Sequence, residues 1–377
     1  MSRAPVSSLP SEILSNILED VVEFQSIRVQ SNGRLIGNDT EWLESGLYRI
    51  SVVCREWREC VKNLPAWNAI TVYHDDANPY IAPPSPNTYF LDSYIEQAIT
   101  QRKRLRVKLE IGSTGQRHIM ATEVLRQLFK EGVLWHSLGY QSWGAGSLRI
   151  LCEVLDELGE RIVDWDRFEV DIGEPPFGDL SLVDVLRRMG KIRHLRNAVF
   201  DLGWPAMSYW VWNRSPDIPL VAGCLQRVRE LEVKASPSIC LGLLGVMSGV
   251  VRAYVYLDWE ENSGWGNDTT SVKPTLESRV ASLTRLTHME VYIGAREISH
   301  TAFFHFIQCP QLRYFSIEWF ESERGNGVEV VQRFLGRLCH TVVGGFYLPN
   351  ATASEVRGFE GFGLEEREEG SRSWVDL

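Results

Sequence analysis

The chain has 377 residues, a net charge of −10, and 44% apolar against 23% charged residues. That length exceeds the size at which one hydrophobic core keeps growing, so two folding units, or one unit and an elongated array, are expected. The acidic balance argues against a nucleic-acid binder, which needs a cationic face to displace counterions from phosphates. The one dense basic run, Arg102-Lys103-Arg104 with Arg106 and Lys108, reads as a solvated face.

Chain order begins with a helix. Ile13, Leu14, Ile17, Leu18 and Val21 recur at steps of three and four from Leu9 onward, which places them on one helix face. Pro10 sits in the first turn, where a missing N–H costs nothing. Residues 25–44 are polar and carry Gly33 and Gly37, reading as a loop with room for a small hairpin. Helical spacing returns with Leu47, Ile50, Val53, Cys54, Trp57 and Val61, and Leu64-Pro65 stops it; residues 66–70 read as one more helical turn. Residues 80–87 contain Pro83, Pro84 and Pro86, a stiff linker and the expected domain boundary.

Beyond the linker, short apolar alternations recur. They include Leu105-x-Val107-x-Leu109, Phe168-x-Val170-x-Ile172, Leu231-x-Val233, Met289-x-Val291-x-Ile293 and Phe315-x-Ile317. Period two is the mark of a half-buried strand. Several are preceded by a short stretch ending in an apolar residue, such as Ile192 to Leu195, Leu225 to Val228, Leu283 to Leu286 and Cys309 to Leu312. Helical segments lie between them. Strand centres recur at intervals on the order of 25–35 residues, the range of solenoid repeats. The alternative reading is a compact α/β domain whose strands share a pattern. Residues 360–377 are rich in Glu, Arg, Gly and Ser and are expected to form a mobile tail.

Three blocks in the first seventy residues together resemble an F-box. They are Leu9-Pro10-Ser11-Glu12-Ile13-Leu14 with Ile17-Leu18, then Val53-Cys54-Arg55-Glu56-Trp57-Arg58, then Leu64-Pro65-Ala66-Trp67 with Ile70. They occur in the family's order, with a longer gap between the first two. The resemblance implies a small helical unit that docks a Skp-type adaptor and, through it, a cullin scaffold, while the downstream chain selects a protein substrate for ubiquitination. The adaptor-contact candidates are Leu9, Pro10, Ile13, Leu14 and Trp67; Ile17, Leu18, Val53 and Trp57 are expected in the core of the unit.

The expected architecture is therefore α/β overall. A small all-helical F-box (1–70) and a proline-containing linker (71–95) precede an irregular leucine-rich-repeat-like solenoid of strands and helices (96–350) and an acidic tail (351–377). The alternative function is a repeat-based interaction scaffold not linked to ubiquitination; an enzyme with an unrecognised site in the larger domain is a second rival.

Chemistry is absent at the level of motifs. The chain contains no nucleophile elbow, dinucleotide fingerprint, phosphate loop or paired-histidine metalloprotease motif. His74-Asp75-Asp76 reads as a polar turn. Asp164, Asp166 and Asp171 alternate with apolar residues, as on the wet side of a strand. His300 and His305 are off the spacing that shares a helix face. No enzyme activity, cofactor, metal, nucleic acid or membrane partner is expected. Seven Cys, an odd number with no C-x-x-C pair, argue against a disulfide framework and a structural zinc site, and point to a reducing compartment, cytoplasmic or nuclear. Residues 1–9 lack the apolar core of a signal peptide. The most apolar window, Leu241 to Leu257, is short for a membrane span and contains Arg252.

One pattern suggests a capture surface. Trp204, Trp259, Trp265, Trp319 and Phe320 follow strand-like segments. In a repeat array such loops lie along one rim, and aromatic anchors in polar surroundings are typical of interfaces. The bland alternative is that these residues plug the ends of an irregular core.

Overall fold

The structure, a computed structural model, describes Pro10 and residues 13–14, 17–18, 27–30, 55–63, 68–74, 88–112, 122–142, 147–159, 165–172, 182–192, 194–202, 225–235, 237–257, 281–294, 303–320, 327–338 and 340–367. Two compact units are present: Met1–Gly144 with Asp156–Arg161, and Ala145–Leu155 with Ile162–Leu377.

In the first unit the described elements are β1 (Ile27–Gln30), α1 (Arg55–Asn63), β2 (Ala69–His74), α2 (Thr88–Thr100), β3 (Arg104–Ile111), α3 (Glu123–Leu128) and β4 (Leu134–Ser142). The strands pair in parallel in sequence order. β3 shows why: Leu105, Val107, Leu109 and Ile111 are buried while Arg104 and Arg106 are exposed. Period-two alternation thus buries one side and solvates the basic run. Thr122 caps α3 by accepting the Leu125 N–H at 3.5 Å. Trp135 on β4 stacks on Phe129 and donates its indole N–H to the Leu128 carbonyl at 3.1 Å, so its polar handle is satisfied in the core.

Three expectations are corrected here. The first seventy residues are not all helical, because β1 pairs with β2. The expected boundary at residue 70 falls inside β2, which continues the sheet to β3. The reason is local: in Ala69-Ile70-Thr71-Val72, the β-branched residues favour extended backbone, and Ile70 and Val72 share one buried side. The linker range 71–95 likewise contains the end of β2 and the start of α2.

The second unit contains α4 (Ser147–Leu158, for most of its length), β5 (Arg167–Ile172), α5 (Leu182–Met189), β6 (Asn197–Asp201), β7 (Glu230–Ala235), α6 (Pro237–Val246), β8 (Arg252–Leu257), β9 (Ala281–Ser282), β10 (His288–Ile293), β11 (Ile307–Gln308), β12 (Tyr314–Trp319), α7 (Gly327–Gly336), β13 (Val343–Tyr347), α8 (Ala353–Glu360) and β14 (Leu364–Glu366). Its main sheet has the order β5-β6-β7-β8-β10-β12-β13-β14, all described pairings parallel, and β9 pairs separately with β11. This is an α/β architecture on a large parallel sheet. The intervals between strand starts are uneven, shorter from Val343 to Leu364 than from Arg252 to His288. The leucine-rich-repeat-like solenoid expected over 96–350 is corrected accordingly: the described strands form a large parallel sheet without a uniform repeat unit, because the connections between them differ in length.

A backbone device repeats at the strand starts. The Asp166 carbonyl accepts from the amides of both Arg196 and Asn197, and the Arg196 carbonyl from Arg229 and Glu230. The Arg229, Val251 and Thr287 carbonyls each accept two successive amides in the same way. Each strand is thereby seated against its predecessor, and the amides preceding the ladder are satisfied. The apolar stretches before the strands serve this turn: Leu225, Val228, Leu283, Leu286 and Leu312 are buried.

One side of the sheet carries the core. Phe334 on α7 lies 5.8 Å from Phe315 on β12, and Phe359 on α8 lies 5.1 Å from Phe346 on β13. The stretch expected to be a tail is therefore ordered through residue 367. α8 is fixed by a capping box between Thr352 and Glu355, and Phe359 and Leu364 are buried. Two amides satisfied reciprocally plus two apolar anchors outweigh the polar composition.

Candidate binding surface

The positions between the core residues face the other side of the sheet, and the parallel register sets them in rows. Glu230, Arg252, His288 and Tyr314 form the first, across β7, β8, β10 and β12. Glu232, Tyr254, Glu290 and Ser316 form the second. Lys234, Tyr256, Tyr292 and Glu318 form the third, which continues to Tyr347 on β13. Adjacent strands lie about 4.8 Å apart, so neighbours in a row touch. Tyr256 and Tyr292 stack with ring centroids 4.7 Å apart, and His288 stacks on Tyr314 at 4.1 Å. His288 Nε2 lies 2.7 Å from Glu290 Oε1. Glu290 is 2% exposed and Glu318 is also buried, whereas Tyr254, Tyr256, His288 and Tyr314 are half-buried.

The electrostatics follow from this crowding. Burial, then the nearby Glu232, Glu290 and Glu318 carboxylates, hold the Tyr256 phenol above its ordinary range. Burial, then Glu318, act on Tyr292 in the same direction. Burial and Glu290 raise Tyr254. The Glu232 carboxyl is itself pushed up, by burial first, with Arg167 opposing. The cations of these rows are occupied: Arg252 pairs with Glu230 at 2.7 Å and Lys234 with Asp201 at 3.3 Å. Arg367, just past β14, reaches back across β13. It donates to the Tyr314 hydroxyl at 2.8 Å and to Ser316 Oγ at 3.4 Å, with its guanidinium carbon 5.9 Å from the Tyr314 ring centroid. Gly345 makes this crossing possible, because a Cβ there would collide with the Arg367 Nε. Aromatic faces among carboxylates favour positive charge.

The candidates named from the sequence divide as follows. Leu9, Val53, Trp67, Trp204, Trp259 and Trp265 lie outside the described residues. Pro10 is exposed and its carbonyl accepts the Leu14 N–H at 3.0 Å. Ile13 and Ile17 are 48% and 43% exposed, while Leu14 and Leu18 are 4% and 1% exposed. The expectations for Leu14 as a contact residue and Ile17 as a core residue are thus reversed, since positions four apart share a helix face and the 14/18 pair takes the core. Leu18 is buried, whereas Trp57, expected in the core of the unit, is only half-buried. Trp319 is 1% exposed and cannot be a surface anchor; it occupies the core-facing position of β12, next after Glu318. Phe320 is exposed, its ring 5.9 Å from Tyr347.

Sequence reasoning missed Tyr254, Tyr256, Tyr292, Glu290, His288 and Arg367. A signal existed for the β10 pair, since Glu290 and Tyr292 are the alternate positions of a strand already marked by Met289, Val291 and Ile293. Arg367 carried none, lying in the expected tail. A cavity of about 590 Å³ at the starts of β6 and β7 is lined by Arg196, Arg227 and Arg229 together with Asp166 and Glu230, a mixed set favouring neither charge. Among the described residues, no cluster of three or more His, Cys, Asp or Glu could hold a metal ion, and no helix is long and apolar enough to cross a membrane. No known protein-family model matches the chain, and no curated protein matches it in sequence.

Proposed function

We propose that the chain is the substrate-recognition subunit of a Skp–cullin–F-box ubiquitin ligase, with no active site of its own. Its N-terminal helix docks a Skp-type adaptor and, through it, a cullin. Its second unit captures a protein target on its parallel sheet. The observation that carries the docking half is the split of the first helix: Leu14 and Leu18 turn inward, leaving Ile13 and Ile17 outward beside the exposed Pro10. Two large apolar side chains four apart on an outer face are a partner site in miniature, and the F-box resemblance supplies the partner's identity. Support for the capture half comes from strands that follow in sequence order behind apolar turns, and from the aromatic and acidic rows they present. A cytoplasmic or nuclear setting belongs to the same proposal; Cys60, Cys152, Cys240 and Cys309 are buried thiols outside any disulfide, which suits a reducing compartment.

The test is co-purification of the full chain with a purified Skp-type adaptor. Ile13→Asp with Ile17→Asp should abolish it while the melting of the chain is unchanged, because a desolvated charge at an interface is strongly unfavourable. Retention of the adaptor by the double variant, or failure of the wild-type chain to hold any Skp-type adaptor, would leave an interaction scaffold without a ligase.

A further inference from the structure

We propose that the outward face of β7, β8, β10 and β12 docks an arginine-bearing basic segment of a partner protein, the guanidinium lying against the Tyr256–Tyr292 ring pair with Glu232 and Glu318 beside it. The inference rests on reading the second unit as the capture half of the molecule, and it names the chemistry of what is captured.

Charge complementarity is the first argument. The three rows carry the carboxylates of Glu230, Glu232, Glu290 and Glu318 against Arg252 and Lys234, and both of those cations are engaged by carboxylates. Even with Arg367 counted, carboxylates outnumber cations on this face, where the Tyr254, Tyr256 and Tyr314 rings are half-buried and the Tyr292 ring is buried beside Tyr256. An acidic or phosphorylated segment would be repelled there. A guanidinium can stack on a ring and present its fork of N–H groups to a carboxylate at the same time, which a lysine ammonium cannot do.

The second argument is independent of the first. The chain already places a guanidinium on this face. Arg367 lies over Tyr314 and donates to Tyr314 and Ser316, and Tyr314 stacks in turn on His288. Tyr292 and Glu318, on the same two strands as His288 and Tyr314, again set a ring beside an oxygen acceptor two rows further along. Phenol ionisation on this face is suppressed by burial first and by the nearby carboxylates second, so the tyrosines stay neutral donors and ring platforms throughout the physiological range.

The experiment uses the full chain without any Skp-type adaptor, and two short blocked peptides. One alternates Arg with Ser; the other has Glu in place of Arg. By fluorescence anisotropy at physiological salt, the Arg peptide should bind and the Glu peptide should not. Glu232→Gln with Glu318→Gln should weaken binding about tenfold or more. Glu329→Gln, which removes one carboxylate from α7, away from this face, should leave it unchanged. Should the Glu318 variant fail to fold, Glu232→Gln with Tyr256→Leu, both at half-buried positions, carries the same expectation. Equal binding of the two peptides, no binding of the Arg peptide, or an unchanged affinity in the folded double variant would overturn the surface. Peptide binding by a chain that holds no Skp-type adaptor would leave this surface standing and remove only the ligase reading.

Discussion

Tyr256 and Tyr292 sit side by side on β8 and β10, with their rings 4.7 Å apart and 18° from parallel. Both phenols are buried enough, and close enough to Glu232, Glu290 and Glu318, to resist ionisation. Their folded-state pKa values lie above the ordinary 10.0, so the unfolded chain ionises first. Stability from this source is intact below pH 10.0 and is lost as the pH rises above it. An absorbance titration of the folded chain should show a class of phenols ionising late, and Tyr292→Phe should shrink that class. A single phenol transition near the ordinary value would show that neither burial nor the carboxylates act as described.

Trp319 gives a second test. It is buried at the end of β12, and its indole N–H has no acceptor among the described residues. An unsatisfied buried donor is costly, and its removal with retention of shape can be neutral or stabilising. Trp319→Phe should therefore change stability by no more than about 1 kcal/mol. Trp319→Ala should cost about 3–5 kcal/mol through the cavity it leaves. Denaturation midpoints of the two variants separate these; a Phe variant as unstable as the Ala variant would mean that the indole N–H is satisfied.

The helical residues 17 and 18, ahead of β1, offer a contrast within one turn. Leu18→Ala should cost about 2–5 kcal/mol, whereas Ile17→Ala, on the exposed face, should stay within about 0.5 kcal/mol. Hydrogen exchange of the helix amides in the full chain reads both. Equal loss of protection in the two variants would return Ile17 to the core.

Part of the second unit is legible in the sequence alone. The alternation of Phe168, Val170 and Ile172, and of Met289, Val291 and Ile293, marks strands because period two is a local property of extended backbone. The apolar turns before them were visible for the same reason, and the acidic balance of the chain was a simple count. Misreadings arose where local cues conflicted. Residues 66–70 read locally as a helical turn, yet Ala69 and Ile70 open β2, and the polar composition after residue 360 conceals Leu364 and the capped helix before it.

What the sequence by itself determined, then, is which side is apolar in β3, β5, β7, β10 and β12, and the apolar turns that precede several strands. Which outward residues become neighbours was decided only by the tertiary structure. Tyr256 meets Tyr292, and Arg367 meets Tyr314, through the register of parallel strands joined by connections of unequal length. That register is set by carbonyl-to-amide bonds between distant segments. A period fixes the face of one strand; only pairing places two strands side by side.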